Sequence, residues 1–358
     1  MKKILLAFAL SLMISGAAFA AADVELVFVI DTTGSMGGLL QGAKTKVWSI
    51  VNGIMQDRKI TSVKIGLVAY RDRNDAYVTA SAPLSANLDE IYGILMSYRA
   101  AGGGDTPEDV RRALFEGVRH SQWSKPRAGL SQILFLVGDA PPHEDYNEHP
   151  SLAESAAYAR RHGITVNAIQ CGNIRGTDKF WREAAQHGGG EYFAIASDGG
   201  TREVKTPFDD RLYALSRELD RRYLPYGSAA EREQADRRMK TTSDTIMAGA
   251  PMEAKASRAG NKALNRYGYS KDDLIQAIET GAVKLEDVKT DELPEAMQKM
   301  SADERRAFVA REISARGKLR ASIQKLSKER AEFIKNNTKA QSDGFDAAVM
   351  EALKKQIK

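Results

Sequence analysis

One cysteine, Cys171, in 358 residues leaves no second thiol for an intramolecular disulfide, so covalent cross-links do not define this fold. Set in 164-ITVNAIQCG-172, that thiol reads as a small buried hydrophobe at a strand end. No zinc-finger spacing and no basic stripe interleaved with aromatics is present, so nucleic acid is not an expected partner. The formal charge of +5 includes Lys2 and Lys3, in a segment expected to be removed. Past that segment, no apolar run is long enough to span a bilayer.

What is present begins with MKK, then ILLAFALSLMISGAAFA, then AADVE. A basic start, a short apolar core and Ala18-Phe19-Ala20 predict a secretory signal at residues 1–20, cleaved after Ala20. No cysteine lies near that point, which excludes a lipoprotein. The alternative is an anchor helix, for which the run is short. The expectation is a periplasmic or secreted chain with no membrane span once the signal is gone.

From residue 21 to 224, short apolar runs alternate with helix-periodic segments. The runs are 24–30, 63–70, 132–138, 164–170 and 191–196, each β-branched or aromatic as buried strands are. Met36, Leu39, Leu40, Ala43, Val47, Val51 and Ile54 fall on one helical face. Further helical patterns cover 87–99, 106–121, 151–163, 178–187 and 207–222. Strands alternating with helices predict an α/β, doubly wound, mostly parallel sheet with helices on both faces. Only 63–70 and 77–83 are close enough for a hairpin, which places one antiparallel strand at an edge.

After 223-YLPYG-227 the texture changes. Residues 225–268 are rich in Ala, Glu, Arg, Gln, Ser and Thr and read as a flexible or loosely helical linker. Residues 269–358 read as an α-helical C-terminal region. Helix starts are marked at Ser270–Asp273 and by the capping box Ser301-Ala302-Asp303-Glu304. Leu319, Ile323, Leu326 and Phe333 form an apolar seam, interrupted by Arg330 and with Gly317 inside it. A helical hairpin or small bundle is the first reading, and a coiled coil for self-association the second.

The stretch 24-VELVFVIDTTGSMGGLL-40 carries the chemistry. In a doubly wound sheet, ligands bind past the carboxyl ends of the strands, where the strand order reverses. Three loops would meet there. The first presents Asp31, Thr33 and Ser35 at alternate positions. The second, 101-AGGGDTPEDV-110, has glycines for tight turns and delivers Thr106. The third, 134-LFLVGDAPPHE-144, places Asp139 directly past a strand. Two carboxylates and three hydroxyls make a poor general acid–base pair but a good set of hard oxygen donors for magnesium, with manganese or calcium as alternatives. Two aspartates balance a divalent ion, which leaves a coordination position for a carboxylate from another molecule.

DTTGSM, GGGDTPED and the aspartate after LFLVG resemble the metal-ion-dependent adhesion site of von Willebrand factor type A domains. In that family's pattern Asp31 and Ser35 match, Thr33 stands where serine is usual, Thr106 fits the second loop and Asp139 the third. The resemblance spans residues 23–224. It implies the doubly wound fold and cation-dependent binding of a protein partner through an acidic side chain, without catalysis. YLPYG and DELPEAMQKMSADERR are similar to segments of exported bacterial proteins of this type.

Duller readings exist for single residues. Ser35 would cap the helix after it, Thr106 with Pro107 and Asp109 would form an N-cap, and Asp139 would satisfy loop amides. They leave Asp31 without a task. An aspartyl-phosphate enzyme would use Asp31 as nucleophile, but the Lys of the P-type pump motif is missing, and Thr33 stands where the haloacid dehalogenase pattern needs a second aspartate. GGGD lacks a P-loop lysine. In 143-HEDYNEH-149, His143 and His149 lie six apart without a zinc spacing and read as rim. In 70-YRDRND-75, Asp72 reads as part of a solvated turn, with a bound water or neighbouring cation as the alternative. The rival functions are a metal-dependent hydrolase or phosphatase at the same site, and a metal-free structural protein of the envelope.

Overall fold

The apolar run that precedes Asp31 forms β1 (Ala22–Asp31), and it is buried on both sides. Val24, Leu26, Phe28 and Ile30 enter one core while Val27 and Val29 enter the other. A computed structural model describes residues 22–56, 59–200, 203–265, 271–337 and 344–357. The expected signal at 1–20 and Ser270 lie outside the described residues.

Around β1 assemble β2 (Ile60–Tyr70), β3 (Thr79–Ser85), β4 (Leu130–Gly138), β5 (Ile164–Cys171) and β6 (Gly189–Ile195). The sheet order is β3-β2-β1-β4-β5-β6, parallel except for β3, which pairs antiparallel with β2 at the edge. The strand order reverses between β1 and β4, the switch point of a doubly wound sheet. One face is covered by α1 (Gly37–Met55) and α2 (Leu88–Ser97), the other by α3 (Val110–Arg119), α4 (Leu152–Arg161) and α5 (Thr177–Gly188). Local chemistry sets their starts. Asn87 accepts from Glu90 N at α2, Asp109 from Arg112 N at α3, and Ser151 with Glu154 forms a capping box at α4. Asp109, rather than Thr106, is thus the cap of α3.

The remaining helices are α6 (Asp209–Asp220), α7 (Ala229–Lys240), a π-helical turn at Thr241–Ile246, α8 (Met247–Gly249), α9 (Met252–Leu264), α10 (Leu274–Glu279), α11 (Glu295–Gln298), α12 (Ala302–Asn337) and α13 (Phe345–Gln356). The linker reading of 225–268 needs correction. Most of α9 is buried, with Ala256, Ala259 and Ala263 against Leu212, Leu215 and Leu219 of α6 and Ile323 of α12. Its charges are matched from afar: Lys46 of α1 meets Glu253 at 2.7 Å, and Arg258 bridges Asp89 and Asp220 at 2.7 and 2.9 Å.

On α12 the seam residues Leu319, Ile323 and Leu326 face α6 and α9 of the same chain, and Phe333 meets Phe208 edge-on at 6.1 Å. Arg330 does not break this packing, because its Nε donates to Asp209 at 2.7 Å. The Ser301–Glu304 capping box forms as read. The last helix returns to the sheet, where Phe345 lies 6.1 Å from Phe28, itself stacked on Phe135. Residues 345–353 thereby complete the core on the α1 face. Among the described residues, no helix is long and apolar enough to cross a membrane.

Candidate metal centre

The register of β1 and β4 pairs Ile30 with Val137, so Asp31 and Asp139 emerge side by side at neighbouring strand ends. Glycine at 138 permits this closeness. A Cβ there would stand 2.2 Å from the Tyr70 hydroxyl and 3.3 Å from the Asp31 Cβ. Asp31 is fully buried, and its Oδ1 accepts from the Thr33 amide at 2.8 Å and the Thr33 hydroxyl at 2.6 Å. The Thr33 hydroxyl lies 3.3 Å from Ser35 Oγ, and the nearby Ser35 hydroxyl pulls the Asp139 carboxyl down against its burial. Ser35 is exposed on a 3-10 turn and makes no capping bond to the helix after it.

Two oxygens in this group have no task inside the protein. Asp31 Oδ2 and Asp139 Oδ1 are buried, and neither has a hydrogen-bond partner among the described residues. Orphaned buried acceptors are costly, more so when charged. Burial, and then the facing Asp139 charge, push the Asp31 carboxyl up to about 7 against the pull of Thr33. Burial raises Asp139 as well. A cation between them removes both penalties, and oxygens of carboxylates and hydroxyls suit a hard divalent ion.

The second loop lies directly on the first. Gly34 N donates to Gly102 O at 3.2 Å, and Ala101 N to Thr32 O at 3.1 Å. Gly102 has φ +80° and sits against Asp75, whose Oδ1 would be 2.1 Å from a Cβ at that position. That loop holds Thr106 exposed, and no hydrogen bond described here joins it to Asp31 or Asp139. Glu108 is the residue it buries instead, with Oε2 unpartnered among the described residues. Burial, then Asp31, Asp72, Asp75 and Asp139, carry its carboxyl to about 9.

A family profile described as "von Willebrand factor A domain" matches residues 25–206, just over half of the chain. The chain belongs to the von Willebrand factor A domain family. Relatives include the putative ariadne-like RING finger protein R811 of Acanthamoeba polyphaga mimivirus, 34% identical over 37% of this chain and 12% of that one. Another is the alpha-protein kinase vwkA of Dictyostelium discoideum, 27% identical over 41% of this chain and 23% of that one. The match thus spans less than a quarter of the length of either relative. Among solved structures, the conserved hypothetical protein BatB from Bacteroides thetaiotaomicron is 17% identical with TM-score 0.37, over 49% of this chain and 91% of that one.

Within this A domain, one expectation from sequence fails at the rim. Asp72 is not part of a solvated turn: it is buried, and it accepts from the Tyr146 hydroxyl at 3.2 Å. His143 stands beside it, with its Nε2 3.5 Å from Asp72 and 3.7 Å from Asp105. His149 packs instead on Phe115, with ring centroids 5.0 Å apart. Glu108 was missed altogether. No local signal marks it, because its backbone is held before the α3 cap by bonds to Pro141 and His143 from the loop after β4. Cys171 is fully buried, and burial followed by Asp139 and Asp31 hold its thiol far above the ordinary range, which makes it inert.

Proposed function

We propose that the chain is a non-enzymatic, divalent-cation-dependent protein-binding module of the adhesion-site type, exported to the periplasm or secreted. Asp31, Thr33, Ser35 and Asp139 would hold Mg2+, with Mn2+ or Ca2+ as substitutes, and Thr106 stands on the loop above them. The observation that carries the reading is the pair of buried, unpartnered carboxylate oxygens on Asp31 and Asp139 at the switch point. When bound, the ion offers an electrophilic position to an acidic side chain of the partner. Thr33 orients Asp31 through two donors, and the exposed Ser35 leaves that position open to solvent. The seam of α12 is covered by its own chain, so self-association through the C-terminal helices would use other faces.

Calorimetry with magnesium and manganese chloride tests the reading. The wild type should give a binding isotherm that Asp31→Ala abolishes, and p-nitrophenyl phosphate should not turn over with either protein. Silence of the wild type at millimolar ion removes the proposal. Phosphatase turnover that depends on Asp31 replaces it with the hydrolase.

A further inference from the structure

We propose that Asp72, Asp105 and the Nε2 of His143 form a second cation site, separate from the Asp31–Asp139 pair and suited to a divalent transition metal such as zinc. The three residues come from different loops at the same end of the sheet. Asp72 follows β2, Asp105 lies between the glycines and α3, and His143 follows β4. One ligand atom from each falls within 4.8 Å of the other two. Nε2 lies 3.5 Å from Asp72 Oδ2 and 3.7 Å from Asp105 Oδ2. Bonds of ~2.0–2.2 Å to a tetrahedral zinc put neighbouring ligand atoms roughly 3.3–3.6 Å apart, close to both spacings.

The histidine is prepared for this role. Nδ1 lies 3.0 Å from Asp145 Oδ1, an acceptor for an Nδ1–H, and in that tautomer the Nε2 lone pair faces the two carboxylates. Carboxylate–histidine–metal triads are built this way. A lone pair directed at two negative groups is repulsive unless a positive charge lies between them. Nε2 is buried without a hydrogen bond among the described residues, and so is Oδ1 of Asp72, whose side chain is only 9% exposed.

The surroundings hold the ligands in place. The Tyr146 ring stacks on the imidazole at 4.0 Å while its hydroxyl bonds Asp72, and the Arg73 guanidinium lies 3.5 Å from the centre of the Tyr146 ring. The His143 amide donates to Glu108 O at 3.1 Å. Asp105 is 61% exposed, so the site opens to solvent on its side and a fourth position faces outward. Imidazole nitrogen favours zinc and its neighbours in the transition series, whereas the all-oxygen set at Asp31 favours magnesium. Two ions would then stand beside each other on the binding face.

The test uses the full chain without a histidine tag, zinc chloride as titrant, and excess magnesium throughout. We expect one zinc site in the wild type and in Asp31→Ala, loss of it in His143→Gln, and ~10–100-fold weaker binding in Asp145→Asn, the usual cost of losing such a supporting carboxylate. The wild type alone gives a second reading, independent of whether variants fold: zinc should shift the Nε2 resonance of His143 in histidine-detected NMR. Zinc bound as tightly by folded His143→Gln overturns the proposal. So does zinc lost in Asp31→Ala, or an unmoved His143 resonance. Magnesium binding by folded His143→Gln should be unchanged, which separates this site from the first.

Discussion

Replacing Asp31 by asparagine tests the proposed metal centre from the side of stability. In chelator, the Asp31 carboxyl is fully buried beside Asp139 and held at about 7 rather than its ordinary 3.8, first by burial and then by that neighbour. A rise of that size sets ~4 kcal/mol against the ionised form. Proton counting gives the sign. Between the ordinary value and 7, the folded chain keeps a proton that the unfolded chain has released. Stability therefore falls as pH rises through that window and levels off above it. Asparagine has no charge to desolvate. Its Oδ1 accepts the two Thr33 bonds, and its amide nitrogen stands where the unpartnered Oδ2 stood, able to donate. With about half of the penalty recovered after relaxation, metal-free Asp31→Asn should be ~2 kcal/mol more stable at about pH 7.5 and melt ~4–8 °C higher. At about pH 4 the two proteins should nearly coincide. Magnesium should reverse the order. At one hundred times its dissociation constant it adds ~2.7 kcal/mol to the wild type, and it adds nothing to the variant. Calorimetric melts in EDTA and in magnesium, at both pH values, decide the matter. A variant that melts below the wild type in EDTA near neutral pH refutes the reasoning, because Asp31 would then be a structural acceptor and not a charge awaiting its counter-ion.

Three further outcomes follow from the packing. Gly317 is exposed within α12, and a Cβ there would meet nothing within 4 Å; Gly317→Ala should raise stability by ~0.8–1.0 kcal/mol, read from urea midpoints. Phe345 is 2% exposed against Phe28; Phe345→Ala should cost ~3–5 kcal/mol and expose the α13 amides to hydrogen exchange before those of the sheet. Asp220 is buried with Arg258 and Lys262, and although burial pushes its carboxyl up, those two cations hold it well below the carboxylate range. Asp220→Asn should cost ~3–5 kcal/mol at neutral pH. The wild-type contribution is whole above the ordinary carboxylate value and fades as pH falls below it toward the depressed one. Denaturation midpoints should therefore converge in acid.

The strands and the two aspartates were legible because their signals are local. Leu26 to Ile30 and Ile133 to Val137 are apolar without interruption since both faces of β1 and β4 are covered, and Asp31 and Asp139 then stand where such runs end. Thr33 and Ser35 follow from their spacing along one loop. What the chain hides is burial achieved by small or charged residues. α9 enters the interior on Ala254, Ala256, Ala259 and Ala263, which give little amphipathic signal. Its Glu253, Arg258 and Lys262 look like a solvated face until Lys46, Asp89 and Asp220 arrive from far along the chain.

His143 is hidden for the same reason. Its neighbours Asp72 and Asp105 lie some seventy and forty residues upstream, so a search for metal-ligand spacing within one segment finds nothing. Thr106 is the opposite case. Its motif is local and clear, yet the glycine turns at 102 and 103 commit the loop to Thr33 and Asp75, which leaves the hydroxyl outside and buries Glu108. A motif therefore locates the loop, while the backbone turns within it decide which carboxylate or hydroxyl reaches the interior. The acidic character of this face is accordingly greater than the motif alone implies, since the buried Asp72 is added to Asp31 and Asp139. That excess of buried carboxylate is the physical reason to look there for more than one cation.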